Sequence, residues 1–160
     1  MGCIPFGYTL IAMIQTVTSA SVANGERFER IGLPADAGAA AHTRREFAEW
    51  LGHFFDLDQT QCSDVLLATN EALANAAEFA YVLVDRPKTM DMHADYDSAS
   101  ERLTVRICDY GLWRRPVATP ASRTRGRGIP LMRALSDGVA IDTSAGGTQV
   151  CLQWNGVGRR

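Results

Sequence analysis

The sequence predicts an α/β domain built in layers, and three observations point to it. Two long stretches of helical periodicity follow a single strand-like segment, two pairs of strand-like segments come later, and turn-rich residues join the members of each pair. The resulting order, β-α-α-β-β-loop-α-β-β, lays helices on a sheet and lacks the regular alternation of a βαβ winding. At 160 residues the chain is most simply one domain, long enough to bury a core without staples.

Each element has its own signal. Residues 1–25 carry no charged side chain, and "YTLIAMI" followed by "SASVA" has the outline of a secretory segment. No Lys or Arg precedes the apolar run, however, and the run is too short to span a bilayer. We therefore read 1–25 as an N-terminal extension, an extra strand or a mobile arm, ahead of a domain at 26–155 and a short tail at 156–160. "RFERIGL" reads as a strand running into a helix start at Pro34 and Asp36. "AGAAAHTRREFAEWLGHFF" reads as a helix with Ala41, Phe47, Leu51 and Phe54 or Phe55 on one face. Asp56 to Gln61 breaks it, and a second helix is expected from about Ser63 to Val84, ended by "DRPK". "TMDMHADY" and "RLTVRICDY" alternate as strands around "DSASE". A loop with two prolines leads to a short helix from Pro130 to Ser136, and "GVAIDT", a Gly-Gly turn and "TQVCLQW" form a closing hairpin.

Composition removes several function classes. Sixteen basic and eighteen acidic residues give a net charge of −2, so no overall field draws the chain to DNA or anionic lipid. The distribution is uneven: Tyr110 to Ser136 holds six arginines and no acid, which suits a small anionic ligand better than a polymer. Cys3, Cys62, Cys108 and Cys151 show no paired spacing, which argues against a zinc knuckle or a disulfide framework and fits a reducing, cytoplasmic setting. His42 and His53 would lie about 16 Å apart along a helix, too far to share a metal.

The residues that could do chemistry fall into four groups. In "NEALANAAEFAY", Glu71, Asn75 and Glu78 fall within about 60° on a helix, with Asp64 on the same line. Such a stripe is also what the wet side of an amphipathic helix looks like. Here it is narrow, because apolar residues cover most other directions, and a largely buried helix with one polar line often borders a cleft. A carboxylate there can accept a proton, and an amide oxygen one turn on can hold a hard cation. In "ICDYGLW", Asp109 ends a strand and Gly111 opens a turn where backbone can approach a ligand, although D-x-G also marks ordinary strand ends. In "TRGRGIPLM", two glycines flank Arg127 and lead into a helix N-terminus, which favours an anion. It is neither a Walker A loop nor a dinucleotide fingerprint. In "GGTQVCLQW", Thr148 enters the last strand after a tight turn.

The order of these groups is more specific than any one of them. E-x-x-x-N on a helix, D-x-G after a strand, G-x-G into a helix and G-T into a strand together resemble the GHKL ATPase superfamily, which includes gyrase, histidine-kinase catalytic domains and MutL. Within it, "NEALANAAEFAY", "DYGLWR" and "GRGIPLMRALSD" look most like the anti-sigma-factor serine kinases of the RsbW and SpoIIAB kind. The resemblance covers about Arg27 to Trp154. It implies a Bergerat-type ATP-binding fold, an α/β two-layer sandwich with a mixed, mostly antiparallel sheet covered by helices on one face.

By that resemblance Glu71 is the general base toward a serine or threonine hydroxyl, and Asn75 ligates Mg²⁺ at the ATP phosphates. Asp109 receives the adenine amino group, Gly111 lets the ring lie close, and Thr148 completes the base contacts directly or through water. Gly126 and Gly128 bring backbone N–H groups to the phosphates, and the register offers Arg123 or Arg125 as the phosphate-contacting arginine, Arg125 being favoured. Positioning and charge neutralisation do most of the work in such a transfer. The implied partners are a sigma factor, which the protein would sequester, and an anti-anti-sigma factor, which it would phosphorylate. Nucleic acid and membrane are not implied, and a homodimer is compatible with the family. One departure stands out: relatives often carry a histidine two residues before the N-box tyrosine, where this chain has Phe79. A non-catalytic module that keeps the fold and binds a partner without phosphotransfer is therefore the alternative.

Overall fold

The computed structural model describes residues 20–81, 87–112 and 127–160. Among them, eight strands and three helices follow the order β1 (Ala20–Ala23), β2 (Arg27–Pro34), α1 (Ala37–Phe54), β3 (Phe55–Asp56), α2 (Gln59–Glu78), β4 (Thr89–Asp97), β5 (Arg102–Asp109), α3 (Gly128–Leu135), β6 (Gly138–Ser144), β7 (Gly147–Trp154) and β8 (Gly158–Arg159). Six strands form one sheet in the order β1-β2-β4-β5-β7-β6, and each neighbouring pair is antiparallel. The expected two-layer α/β sandwich is the observed architecture. Within residues 1–25, Ala20–Ala23 is an edge strand paired on β2.

The strands alternate as their sequences do. Met90, Met92, Ala94 and Tyr96 of β4, Leu103, Val105 and Ile107 of β5, and Val150, Leu152 and Trp154 of β7 are all buried. Period-two alternation puts them on one face, against which the helices pack. α1 lies on β2, α2 on β5 and β7, and α3 on α2 and β6. At positions of the other parity sit Glu29, His93, Asp95 and Arg106, which pair with one another: His93 Nδ1 lies 3.3 Å from Glu29, and Arg106 bonds Asp95. That face satisfies its own charge, so the helices are needed on one side only.

α1 and α2 start where capping residues supply acceptors for free N–H groups. Asp36 accepts from Ala39 N–H at 2.8 Å and starts α1. Asp58 accepts from Gln61 N–H at 2.8 Å while Gln61 reaches back to Asp58 N–H at 3.2 Å, a reciprocal capping box that starts α2. α2 thus begins four residues before the expected Ser63, because D-x-x-Q is a start signal rather than part of the break. α2 also ends at Glu78, short of Val84, because long-range partners take the next groups: Ala80 C=O accepts from Leu112 N–H at 2.7 Å. The buried face of α1 is Ala40, Thr43, Phe47, Trp50 and Leu51, so Ala41 is displaced from it by Ala40 and Trp50. Trp50 anchors that face, with its ring 5.6 Å from Phe47 and 4.9 Å from Phe55, and its Nε1–H donating to Asn24 C=O at 2.7 Å. α3 starts at Gly128, two residues before Pro130, which still occupies the first turn, where an N–H is not needed. β3 and β8 form a two-residue ladder of their own.

Candidate functional site

α2 and α3 bring one set of residues together. Glu71 and Asn75 are half-buried on α2, one turn apart, as the helical period requires. Gly128 lies directly against both: a Cβ on it would fall 3.1 Å from Glu71 Oε2 and 3.5 Å from Asn75 Nδ2. Gly128 is also the first residue of α3, whose N-cap Arg127 makes no side-chain capping bond. Pro130 has no N–H, and the first intrahelical bond at that end is Leu131 N–H to Arg127 C=O at 2.9 Å. The start of α3 therefore offers open backbone donors and the positive end of the helix dipole beside a carboxylate and a carboxamide. Arg125 and Gly126 lie outside the described residues.

The ends of β5 and β7 assemble a second set. Asp109 and Thr148 are direct cross-strand partners. The Asp109 carboxylate accepts from Gly111 N–H at 3.1 Å. Burial pushes its pKa above the ordinary aspartate value, and the backbone N–H groups of Gly111 and Thr148 only partly offset that. Thr148 is 4% exposed, and its Oγ1 is buried without a hydrogen-bond partner among the described residues. Thr43 and Thr69 share that state on the buried sides of the helices. Thr148 differs in standing directly across from the Asp109 carboxylate at the strand ends. An acceptor carboxylate and an orphan hydroxyl side by side suit a planar ligand carrying both an amino group and ring acceptors.

Two glycines make this corner possible. A Cβ on Gly111 would overlap the carbonyl of Ala80, so the turn after β5 rides directly on the chain leaving α2. A Cβ on Gly147, whose φ is +140°, would overlap the Asp109 carbonyl and lie 2.8 Å from Tyr110 Cα. In the sequence Gly147 shows only as half of a Gly-Gly turn, and the paired glycines ahead of Thr148 are the signal of its role. The two sets thus flank the C-terminal end of α2, joined through the Leu112–Ala80 hydrogen bond.

The remaining polar positions of α2 go elsewhere. Glu78 is exposed at the helix end. Asp64 lines a cavity of about 250 Å³ with Gln61, Leu135, Asp137 and Trp154. That cavity lies toward the start of α2 and the end of α3, so it is separate from Glu71 and Gly128. Among the described residues, no group of three or more His, Cys, Asp or Glu side chains could hold a metal. A Mg²⁺ site with one or two protein ligands, completed by phosphates and water, is the kind this donor set fits.

The sequence pattern of the histidine kinase-like ATPase domain family matches residues 33–154. Among solved structures, the chain is similar to the RsbU and RsbW domains of Rv1364c from Mycobacterium tuberculosis, at 24% identity and a TM-score of 0.64 over 84% of the chain. It is also similar to the histidine kinase domain of the blue-light activated histidine kinase EL346 from Erythrobacter litoralis, at 18% identity and a TM-score of 0.51 over 76% of the chain. The chain spans 33% of the first of these proteins and 60% of the second. Among curated proteins, no sequence matches it. With the family pattern running through α1, α2 and the strands that carry Asp109 and Thr148, and with the GHKL fold around them, the chain belongs to the histidine kinase-like ATPase domain family.

Proposed function

We propose that the protein is an ATP-dependent serine/threonine kinase that acts as an anti-sigma factor. It sequesters a sigma factor and phosphorylates an anti-anti-sigma factor, exchanging one partner for the other. The observation that carries this reading is the placement of Gly128, at the start of α3, against Glu71 and Asn75 of α2. In this reading the carboxylate is the base, the carboxamide the metal ligand and the helix end the phosphate site, which together would meet the needs of phosphoryl transfer. Likeness in fold to a protein with an RsbW domain supports the choice within the family.

Each residue then has a task. Glu71 takes the proton from the attacking serine or threonine hydroxyl. Asn75 holds Mg²⁺ through its amide oxygen, and the ion, when bound, neutralises charge on the phosphates. The open N–H groups at the start of α3 orient the phosphates, joined in this reading by Gly126 and Arg125. Asp109 accepts from the exocyclic amino group of adenine, and the Thr148 hydroxyl meets the ring or a water beside it. Among the described residues no helix is long and apolar enough to cross a membrane, and Cys62, Cys108 and Cys151 are free thiols. A cytoplasmic setting is the one these features suit.

The test is transfer of label from γ-labelled ATP to an anti-anti-sigma protein. Glu71→Ala should abolish labelling while leaving ADP binding in place, whereas undiminished labelling in that variant would remove Glu71 from the mechanism. The second reading, a module that binds nucleotide and partner without transfer, is favoured by Phe79. It is 42% exposed at the C-cap of α2, where relatives often carry histidine. ATP binding with no label on any partner would select it.

A further inference from the structure

Tyr110, the residue after Asp109, is held from two sides. Its backbone N–H donates to the Tyr81 hydroxyl at 2.9 Å. Its own hydroxyl donates to Asp91, whose other oxygen accepts from Gly32 N–H at 2.7 Å. The Tyr81 hydroxyl in turn donates to the Thr89 carbonyl. One buried phenol oxygen, on a residue only 5% exposed, therefore ties together the chain leaving α2, the start of β4 and the turn after β5. Asp91, 6% exposed, holds the same turn from within β4.

The ring of Tyr81 belongs to the core, a task that phenylalanine would do equally well. Its oxygen does something else. A backbone N–H at the mouth of a turn needs an acceptor, and a missing one is compensated by moving the backbone or admitting water. The residue that such a movement would carry along is Asp109, one position earlier. We infer that Tyr81 is a positioning residue for base selection: its hydroxyl fixes the Asp109–Tyr110 turn so that the Asp109 carboxylate meets an exocyclic amino group squarely. A carboxylate accepts from the amino group of adenine and is repelled by the carbonyl that guanine carries at the same ring position. Loosening the turn weakens the first interaction and relaxes the second. This inference rests on the nucleotide reading above and adds the selectivity device to it.

The experiment is calorimetric titration of ATP and of GTP into the full-length protein, into Tyr81→Phe and into Tyr110→Phe. Stoichiometry reports how much protein is folded, and the ratio of the two dissociation constants reports selectivity, so mere destabilisation lowers the first and leaves the second alone. The wild type should prefer ATP, and Tyr81→Phe should narrow that preference by about fivefold, the usual effect of losing one hydrogen bond. Tyr110→Phe, which releases the tie to Asp91, should narrow it in the same direction. A Tyr81→Phe protein with the wild-type preference overturns the inference and leaves the nucleotide reading intact. If Tyr81→Phe does not fold, Tyr110→Phe decides: its side chain is 44% exposed, and an unchanged preference there overturns the inference equally. A wild type that binds ATP and GTP alike also overturns it, and one that binds neither removes the nucleotide reading as well.

Discussion

Gly128 and Glu71 are so close that a methyl group on the glycine would fall 3.1 Å from the Glu71 carboxylate. α3 thus begins against the proposed base, and its position sets where that base points. Contact at this distance is tight, and the flexible end of a glutamate can give way by a few tenths of an ångström. Gly128→Ala should therefore fold and bind ADP close to normally, while turning Glu71 away from its line of attack. Misplacing a catalytic group by a fraction of an ångström to 1 Å costs about 10- to 100-fold in rate. Single-turnover phosphotransfer beside ADP titration measures both quantities, and a variant with unaltered transfer would separate Gly128 from the chemistry.

Asp109 carries a conflict between stability and binding. Burial raises its pKa in the folded protein above the ordinary aspartate value, so the fold binds this proton more tightly than the unfolded chain does. The contribution to stability is then fully present below the ordinary aspartate pKa and is lost as pH rises through the raised one. At neutral pH the ionised carboxylate is a cost to the nucleotide-free protein. Asp109→Asn should therefore raise the melting temperature at pH 7, with the gain shrinking toward zero in acid, and should abolish adenine recognition. Thermal melts across pH on both proteins give the sign directly. A melting temperature lowered at pH 7 would contradict the account.

Much of this arrangement was legible in the residues, and what was not has identifiable causes. Helical period alone puts Glu71 and Asn75 on one line, and alternation alone separates Met90, Met92 and Ala94 from their polar neighbours. Pairing register is another matter: Asp109 meets Thr148 only because β5 and β7 align across a long intervening stretch that includes α3. The end of α2 depends on Leu112 claiming the Ala80 carbonyl, a partner remote in sequence. β3 and β8, two residues each, are too short to show any period. The start of α2 is different, because the Asp58–Gln61 capping box is legible in the residues ahead of the apolar run that begins at Val65.

Thr148→Val isolates the orphan hydroxyl. The change keeps the shape and removes a buried polar atom that has no partner among the described residues, so it should leave stability unchanged or slightly higher. If the hydroxyl instead meets a bound base or its water, ATP affinity should fall by about threefold to tenfold. Paired urea unfolding and ATP titration distinguish the cases. Marked destabilisation without nucleotide would mean that the hydroxyl serves the fold, and the ligand assignment of Thr148 would fall.

Gly147 is the position where the fold and the site depend on the same missing atom. Its φ of +140° is strained for any residue with a side chain, and a Cβ there would overlap the Asp109 carbonyl and crowd Tyr110 Cα at 2.8 Å. Neither obstacle is the loose end of a side chain, so the backbone itself has to move. Strain and overpacking together should make Gly147→Ala less stable by about 3 kcal/mol or more. Whatever folds should have β5 and β7 pushed apart at their ends, where Asp109 faces Thr148. Gly146→Ala, one residue earlier on the exposed turn, is the matched control: the nearest atom to a Cβ there is Ser144 Oγ at 3.5 Å, an ordinary contact. Urea unfolding should place the Gly146 variant within about 0.5 kcal/mol of wild type, as for most surface changes. Equal stability of the two variants would show that β7 can shift at Gly147 without strain, and that the Asp109–Thr148 corner is less rigid than its packing implies.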